Sequence, residues 1–364
     1  MSQQLLNLMS QQQMALLTKM SLASNLATPI PASTKNSVYL IEYTALVKRI
    51  QEMDKSSKNE GGGTKKMLEQ LLQPKPLRMA KMADLDALEQ FAAENPHLSD
   101  LLNQMVIQVH QQVVTEQALH FSPLLLVSPP GLGKSWFTFK LAQVLDLPCF
   151  EFQLSGSADT LQLLGTSKHW SQAAPSDLLR RMADCPIANP IIVFDEVDKS
   201  GSSNGSKLND ILLMLLEPEN ARRFEDKYIG LPTRMDYPSY LLTANELEQI
   251  SLPLRDRCIL QQFVVPNDSA ARNQLVRNVY RKLIEENNLG SWFSSELTDE
   301  LCEQFFPTEC KSAREIRQRL SQGITLAQQP FAKNRITQPP AQKLMPIVPD
   351  TPVATPAPRM GFLP

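Results

Sequence analysis

Apolar and polar positions along this chain follow two rhythms, and the change from one to the other divides it. Between residues 124 and 265, short apolar runs bounded by turn residues recur at 124–127 (Leu-Leu-Leu-Val), 149–154, 191–194, 240–243 and 259–265. Runs of this length, rich in aliphatic and aromatic residues, predict buried strands. Apolar residues return at helical spacing between most of them, at 136–145, 176–185 and 208–216. Strands alternating with helices predict an α/β fold, a parallel sheet with helices on both faces. After Pro266 the strand signals stop. Residues 270–287, 294–305 and 312–328 carry helical patterns only, which predicts a small all-α unit over 267–330.

Upstream, 38–53 has helical spacing, 56–66 with Gly61, Gly62 and Gly63 reads as a flexible linker, and 67–96 holds short helical segments broken at Pro74, Pro76 and Pro96. Ser99 is a candidate N-cap for a helix running to about residue 118. The first 35 residues, rich in Gln, Ser and Met, predict a disordered arm or frayed helix, and prolines punctuating 331–364 predict an extended, disordered tail. The expected organisation is thus an arm (1–35), a helical N-terminal region (36–94), an α/β subdomain (95–266), an all-α subdomain (267–330) and a Pro-rich tail (331–364).

The loop after the first predicted strand introduces chemistry. Ser128-Pro129-Pro130-Gly131-Leu132-Gly133-Lys134-Ser135 joins a strand to a helix, the arrangement of a phosphate-binding P-loop. Gly131 and Gly133 let backbone N–H groups turn inward around an anion, and the helix N-terminus adds partial positive charge. Lys134 is placed to reach the β- and γ-phosphates of a nucleotide, and the Ser135 hydroxyl to ligate Mg²⁺. The usual first glycine of the motif is replaced by Ser128. A second signal is Ile191-Ile-Val-Phe-Asp-Glu-Val-Asp198, where carboxylates follow an apolar run. Ligands of open α/β sheets bind at that end of a strand. Asp195 would hold Mg²⁺ and Glu196 would polarise the water attacking the γ-phosphate. Together these segments predict binding and hydrolysis of ATP with Mg²⁺.

Composition narrows the partners. With 42% hydrophobic residues, 20% charged residues and a net charge of −2, the chain has no general attraction to nucleic acid or anionic membrane. Its five cysteines and four histidines lack the spacing of a zinc site or disulfide framework. No apolar run approaches the ~20 residues needed to cross a bilayer, and the N-terminus lacks the pattern of a signal peptide. The expectation is a cytoplasmic protein without a membrane partner.

Residues 189–245 contain, in order, N-P-I-I-V-F-D-E-V-D-K, L-L-E-P-E-N-A-R-R-F-E-D-K-Y and L-L-T-A-N. This stretch resembles the ATPase module of Lon proteases, within the wider group of AAA+ ATPases, and the resemblance extends over roughly 95–325. It implies a RecA-like α/β domain with a helical lid, assembled as a hexameric ring. By the same resemblance Asn245 matches the sensor-1 residue that orients the attacking water, with a helix N-cap for Glu246 onward as the alternative role. Arg257, in Pro253-Leu-Arg-Asp-Arg257, matches the arginine finger that reaches a neighbouring subunit; Arg255 is the fallback and a surface salt bridge the alternative. In Ser312-Ala-Arg-Glu-Ile-Arg317, Arg314 matches the sensor-2 residue at the γ-phosphate, with Arg317 one turn away as the alternative.

Residues 164–175 align with the substrate-gripping loop, placing Trp170 on the aromatic that holds extended polypeptide. Ser171 stands where an aliphatic residue is expected, and a Trp packed at the sheet edge or against the next subunit is the other reading. Residues 200–207 match the second pore loop. Where Lon continues into a Ser–Lys peptidase this sequence has its Pro-rich tail, and no Gly-x-Ser-x-Gly appears, so no peptidase activity in cis is expected. The leading expectation is an ATP-driven ring that threads polypeptide. The alternatives are a nucleotide-switched loader on DNA, disfavoured by the near-neutral charge, and a scaffold acting through its tails. Residues 359–364 offer apolar side chains for docking on a separate peptidase or target, or form an inert end.

Overall fold

The computed structural model describes residues 36–56, 62–154, 159–167, 173–199, 205–264, 268–307, 310 and 312–349. In chain order its elements begin with β1 (Ser37–Val38), α1 (Tyr43–Ser56), α2 (Gly62–Leu71), β2 (Lys75–Pro76), α3 (Met82–Glu94) and α4 (Ser99–Val114). There follow β3 (Leu124–Val127), α5 (Lys134–Val144), β4 (Cys149–Gln153), α6 (Asp159–Leu164), α7 (Asp177–Asp184), β5 (Ile191–Asp195), α8 (Gly205–Leu216) and α9 (Pro218–Ala221). The series closes with β6 (Phe224–Glu225), β7 (Pro232–Thr233), β8 (Ser239–Ala244), α10 (Leu252–Asp256), β9 (Ile259–Gln262), α11 (Ser269–Glu286), α12 (Asp299–Phe305) and α13 (Ala313–Lys333). The expected arm (1–35), Trp170 and Ser171, residues 200–204 of the second pore loop, and 350–364 lie outside the described residues.

Two compact units are formed. The larger contains 79–160, 189–218 and the described chain from 237 onward. Its five-stranded sheet has the order β4-β5-β8-β3-β9, and every pairing is parallel. A parallel sheet covered on both faces requires nearly continuous apolar strands. Accordingly β3 and β8 are buried at every position and β5 from Ile191 to Phe194. Register then decides where the loops emerge. Val127 pairs with Ala244 and Phe194 with Leu242, so β3, β5 and β8 end at one edge of the sheet. On one side Phe194 stacks on Tyr240 with ring centroids 5.8 Å apart. Elsewhere Phe137 of α5 packs between Phe91 of α3 and Phe263, at 6.0 and 5.6 Å.

Helices α11, α12 and α13 form the all-α part of this unit. Asp268, Thr298 and Ser312 each cap the following helix by accepting a backbone N–H. The helices close on Val276, Tyr280, Phe293, Phe305, Ile316 and Leu320, all buried. Residues 294–298, expected in a helix, form a loop instead: the Tyr280 hydroxyl donates to the Ser294 carbonyl at 2.9 Å, and the Ser294 N–H donates to the Leu344 carbonyl at 3.0 Å.

That second bond exposes a larger correction. Over residues 331–349 a disordered tail is not what forms: α13 runs through Pro330 to Lys333, and an extended strap then returns over the helices. The Leu344 N–H donates to Trp292 O at 2.8 Å and the Ile347 N–H to Gly323 O at 3.1 Å. Leu344, Met345 and Val348 pack on the all-α core. Prolines suit such a strap, because extended backbone matches their fixed φ and the strap needs few donors. The apolar residues between them supply the burial.

The smaller unit contains the described parts of 36–78, 161–188 and 219–236. The expected boundary at 94/95 does not describe it, and residues 57–61 of the expected linker lie outside the described residues. Gly62 already begins α2, and the bridge between Ile41 and Thr233 ties the N-terminal segment to residues far along the chain. Helices α1, α2 and α7 bury Leu46, Ile50, Leu68, Leu71, Leu178 and Met182. Fully buried Asp226 accepts the N–H groups of Ser176, Tyr228 and Ile229 at 2.7, 2.8 and 3.1 Å. Lys75 donates to the carbonyls of Ala183 and Cys185 at 2.8 and 2.5 Å, at the electronegative C-terminal end of α7.

Candidate active site

The sheet edge that gathers β3, β5 and β8 opens into a cavity of about 400 Å³. Its floor is the phosphate loop. Gly131 and Gly133 have φ of +86° and +95°, a region costly for residues with a Cβ. An added Cβ on Gly133 would meet nothing within 4 Å, so this turn borders open space. Gly133 is also the N-cap of α5, whose first amides have no intrahelical acceptor. Pro130, Leu132 and Ser135 line the same cavity, whereas Ser128, only 2% exposed, lies beneath it.

Lys134 is held from below. Its ammonium donates to Ser128 O at 2.6 Å, Ser128 Oγ at 3.1 Å and Asn245 Oδ1 at 3.1 Å. Ser128 Oγ in turn donates to Pro129 O at 3.0 Å. The serine that replaces the motif glycine is therefore part of the lysine's cradle. Burial pushes Lys134 below the usual lysine range, opposed by the negative charges of Asp195, Asp198 and Glu196.

The acidic wall depends on strand order. Because β8 lies between β3 and β5, its Thr243 hydroxyl reaches both Asp195, the last residue of β5, and Glu196, which follows it. Thr243 Oγ1 donates to Asp195 Oδ1 and accepts the Glu196 N–H at 3.1 Å. Glu196 has φ of +58°, a strained value for a residue with a side chain, and the Thr243 bond holds it there. The turn Val197–Lys199 follows, and the Lys199 ammonium pairs with Glu196 Oε1. Asp198 Oδ2 accepts the N–H groups of Asn245 and Glu246 at 3.0 and 3.2 Å. Asn245 spends its side chain on Lys134, while Glu246 takes the N-cap position of the next turn; the alternative helix-capping role for Asn245 is not adopted.

The roof comes from the helices. Arg314 and Arg317 both line the cavity, but Arg317 is paired with Glu286 at 2.5 Å. Arg314 carries no ion pair among the described residues, and its N–H donates to Gly131 O at 3.3 Å. Leu275, Asn278, Val279 and Lys282 extend one face of α11 along the cavity. Beside them are Asn95, whose Oδ1 accepts from Asn278 Nδ2 at 3.2 Å, and His97, kept below the usual histidine range by burial. Arg257 is elsewhere. It is exposed, with Nε 3.0 Å from Glu217 Oε2 and Nη1 3.0 Å from Pro253 O, the surface salt bridge that is its alternative role. Arg255 donates to Ile250 O at 2.9 Å, and neither arginine lines the cavity.

The model of the "ATPase family associated with various cellular activities (AAA)" matches residues 124–265. Residues 124–265 are therefore similar to an AAA domain. Among curated relatives, the mitochondrial Lon protease homolog of Emericella nidulans is 29% identical over 185 residues, 50% of this chain and 17% of the relative. The Lon protease of Treponema pallidum is 31% identical over 168 residues, 46% of this chain and 19% of the relative. That of Malacoplasma penetrans is 29% identical over 206 residues, 55% of this chain and 26% of the relative. The chain thus spans a quarter or less, or barely more, of the relatives it matches. Among solved structures, a chain from the closed-state cryo-EM reconstruction of Hsp104:ATPyS with FITC casein superposes with a TM-score of 0.55 at 13% identity, covering 69% of this chain and 48% of that one. That likeness is one of fold.

The candidate site includes positions to which the sequence motifs assign no role. Thr243, Asp198, Asn95, His97, Asn278 and Lys282 all contribute to the cavity or its supports. Asp198 is the last acid of the Asp195–Asp198 run, so its signal is present; the spacing 275, 278, 279, 282 is the helical face that marks the α11 residues.

Proposed function

We propose that this chain is a Mg²⁺-dependent ATPase that acts as a ring on polypeptide substrates. One observation carries the reading: Lys134, Asp195, Glu196, Asn245 and Arg314 lie in or under a single cavity floored by a phosphate-loop turn. A hydroxyl (Ser135) and a carboxylate (Asp195) are hard oxygen donors of the kind Mg²⁺ takes while keeping waters and phosphate oxygens. These two residues would hold the ion, which when bound supplies charge neutralisation at the phosphates.

In this reading, Lys134 and the amides of α5 bind the β- and γ-phosphates. Glu196 takes the proton of the water that attacks the γ-phosphorus as the bond to ADP breaks, and Asn245 orients that water. Arg314 contributes charge from the roof. Arg257 acts in a neighbouring subunit's cavity; its present pairing with Glu217 is a surface contact worth under ~1 kcal/mol, which a triphosphate can displace. Supporting a protein substrate are the Lon relatives and the alignment of Trp170 with the gripping aromatic. Docking of a separate peptidase by residues 359–364 belongs to the same proposal.

The test is phosphate release by the full chain with ATP and Mg²⁺. Lys134→Ala should abolish nucleotide binding, while Glu196→Gln should keep binding and lose ~10²–10⁴ in kcat. Arg257→Ala should be rescued by mixing with Lys134→Ala subunits, which supply the finger. Substrate action is read by stimulation with an unfolded polypeptide, lost in Trp170→Ala. A chain that binds ATP but shows equal turnover in wild type and Glu196→Gln would refute the ATPase mechanism.

A further inference from the structure

Asp198 is 8% exposed, and its Oδ1 is buried without any hydrogen-bond partner. Among the described residues only two other buried side-chain atoms, Ser251 Oγ and Arg319 Nε, share that state, and neither belongs to a carboxylate. A carboxylate oxygen without a partner is costly to bury, so Asp198 calls for an explanation beyond packing. Its other oxygen is committed. Oδ2 accepts the first two N–H groups beyond the end of β8, those of Asn245 and Glu246.

The connectivity shows what this fixes. On one side Asp198 belongs to the turn Val197–Lys199 that begins at Glu196, whose own N–H is anchored to Thr243. On the other it grips the backbone of Asn245, whose side chain accepts from Lys134 at 3.1 Å. One carboxylate therefore links the strand end that carries the candidate base to the strand end that carries the candidate water-orienting amide. Parallel pairing between β5 and β8 stops at Phe194 and Leu242, so past that point the ladder no longer sets the spacing of these two groups. The hydrogen bonds from Thr243 and Asp198 do.

We infer that Asp198 is a positioning residue: by clamping the Asn245 and Glu246 amides to the Glu196 turn, it holds Asn245 and Glu196 at the separation the attacking water requires. This inference rests on the ATPase reading above. A misplacement of about 1 Å in such a pair costs on the order of 10²-fold in rate, and the loss falls on kcat because phosphate binding by Lys134 and the α5 amides is left in place.

Asp198→Ala and Asp198→Asn in the full chain test it, with wild type and Glu196→Gln measured alongside. Asp198→Ala should lower kcat at least ~10-fold with the ATP KM within about threefold. Amide hydrogen exchange in the peptide containing Asn245 and Glu246 should accelerate, while the strands exchange as before. Asp198→Asn keeps an acceptor oxygen and should recover most of both losses. Unchanged exchange at Asn245 and Glu246 in Asp198→Ala would overturn the inference. So would equal damage in the Asn and Ala variants accompanied by faster exchange across the whole sheet, which is a stability role. A wild type that binds but does not turn over ATP defeats the ATPase reading, and exchange at the two amides then decides the clamp by itself.

Discussion

Gly323 is the position where two opposing effects can be weighed in numbers. It lies inside α13, and replacing a helix-interior glycine by alanine normally stabilises by ~1 kcal/mol. Here the added Cβ would stand 2.6 Å from Ile347 O and 2.8 Å from Phe305 Cζ, where ordinary contact begins at 3.4 Å. Phe305 is fully buried in the all-α core, so its ring has nowhere to go. The strap must move instead. Its retreat breaks the Ile347–Gly323 hydrogen bond, about 1 kcal/mol. It also exposes part of the surface buried by Leu344, Met345 and Val348, where each fully buried side chain contributes ~1.5–3 kcal/mol. A loss of ~2–4 kcal/mol against a gain of ~1 predicts that Gly323→Ala destabilises by ~1–3 kcal/mol, the usual range for overpacking. Urea denaturation gives the sign, and limited proteolysis should show new cleavage within residues 334–349. A variant as stable as wild type with an uncut strap would refute the reasoning.

Three further outcomes are expected. Ser128→Gly should leave ATP affinity within about threefold, under the ~1.4 kcal/mol of a tenfold change, because Lys134 keeps Ser128 O and Asn245 Oδ1 as acceptors; a larger change in a binding titration would show that the Oγ contact governs the lysine. Asp226→Ala leaves three buried amides unpaired and should cost about 3 kcal/mol or more by denaturation; a loss below ~1 kcal/mol would mean the loop re-forms around water. Burial pushes the Cys149 and Cys310 thiols up to about 11 and Cys258 up to about 12. Since the thiolate reacts, alkylation of these three at pH 8 should run ~100-fold or more slower in the native chain than in denaturant, and should rise with pH through 10. Mass spectrometry showing equal rates at pH 8 would contradict that.

The central strands were legible because burial on both faces leaves a plain mark, an unbroken apolar run, as in Leu124–Val127 and Ile191–Phe194. The phosphate loop was legible because its chemistry requires glycine, lysine and serine at fixed offsets. What local pattern does not carry is neighbourhood. Thr243 is an ordinary strand threonine until β8 is known to lie beside β5, and Asp198 reads as a surface acid until its oxygen is seen on the Asn245 amide. The smaller unit was hidden for a related reason. Its ribbons are two residues per strand, too short for any period, and they join residues that are far apart in sequence. The strap is not legible in the sequence, because proline content signals an extended chain equally well whether that chain is solvated or docked. Only the partner surface distinguishes them, and that surface belongs to α11–α13.

Two contacts of α13 connect the strap to the candidate site. At its first turn the helix meets the phosphate loop so closely that a Cβ on Gly131 would lie 3.1 Å from Arg314 Cβ and 3.3 Å from Ser312 Cβ. The Arg314 N–H donates to the Gly131 carbonyl in the same place. Near its middle the helix is approached still more closely by the strap, where a Cβ on Gly323 would lie 2.6 Å from Ile347 O. A helix is stiff along its axis, so a segment pinned at two points has little freedom to tilt about either one. The direction in which Arg314 projects into the cavity is therefore set jointly by the phosphate loop and by the strap. Loosening the strap leaves every cavity residue in the chain unchanged, yet it removes one of the two constraints on the roof arginine. Gly323 and Gly131 are equivalent in this sense: each is the absence of a side chain that lets α13 be held.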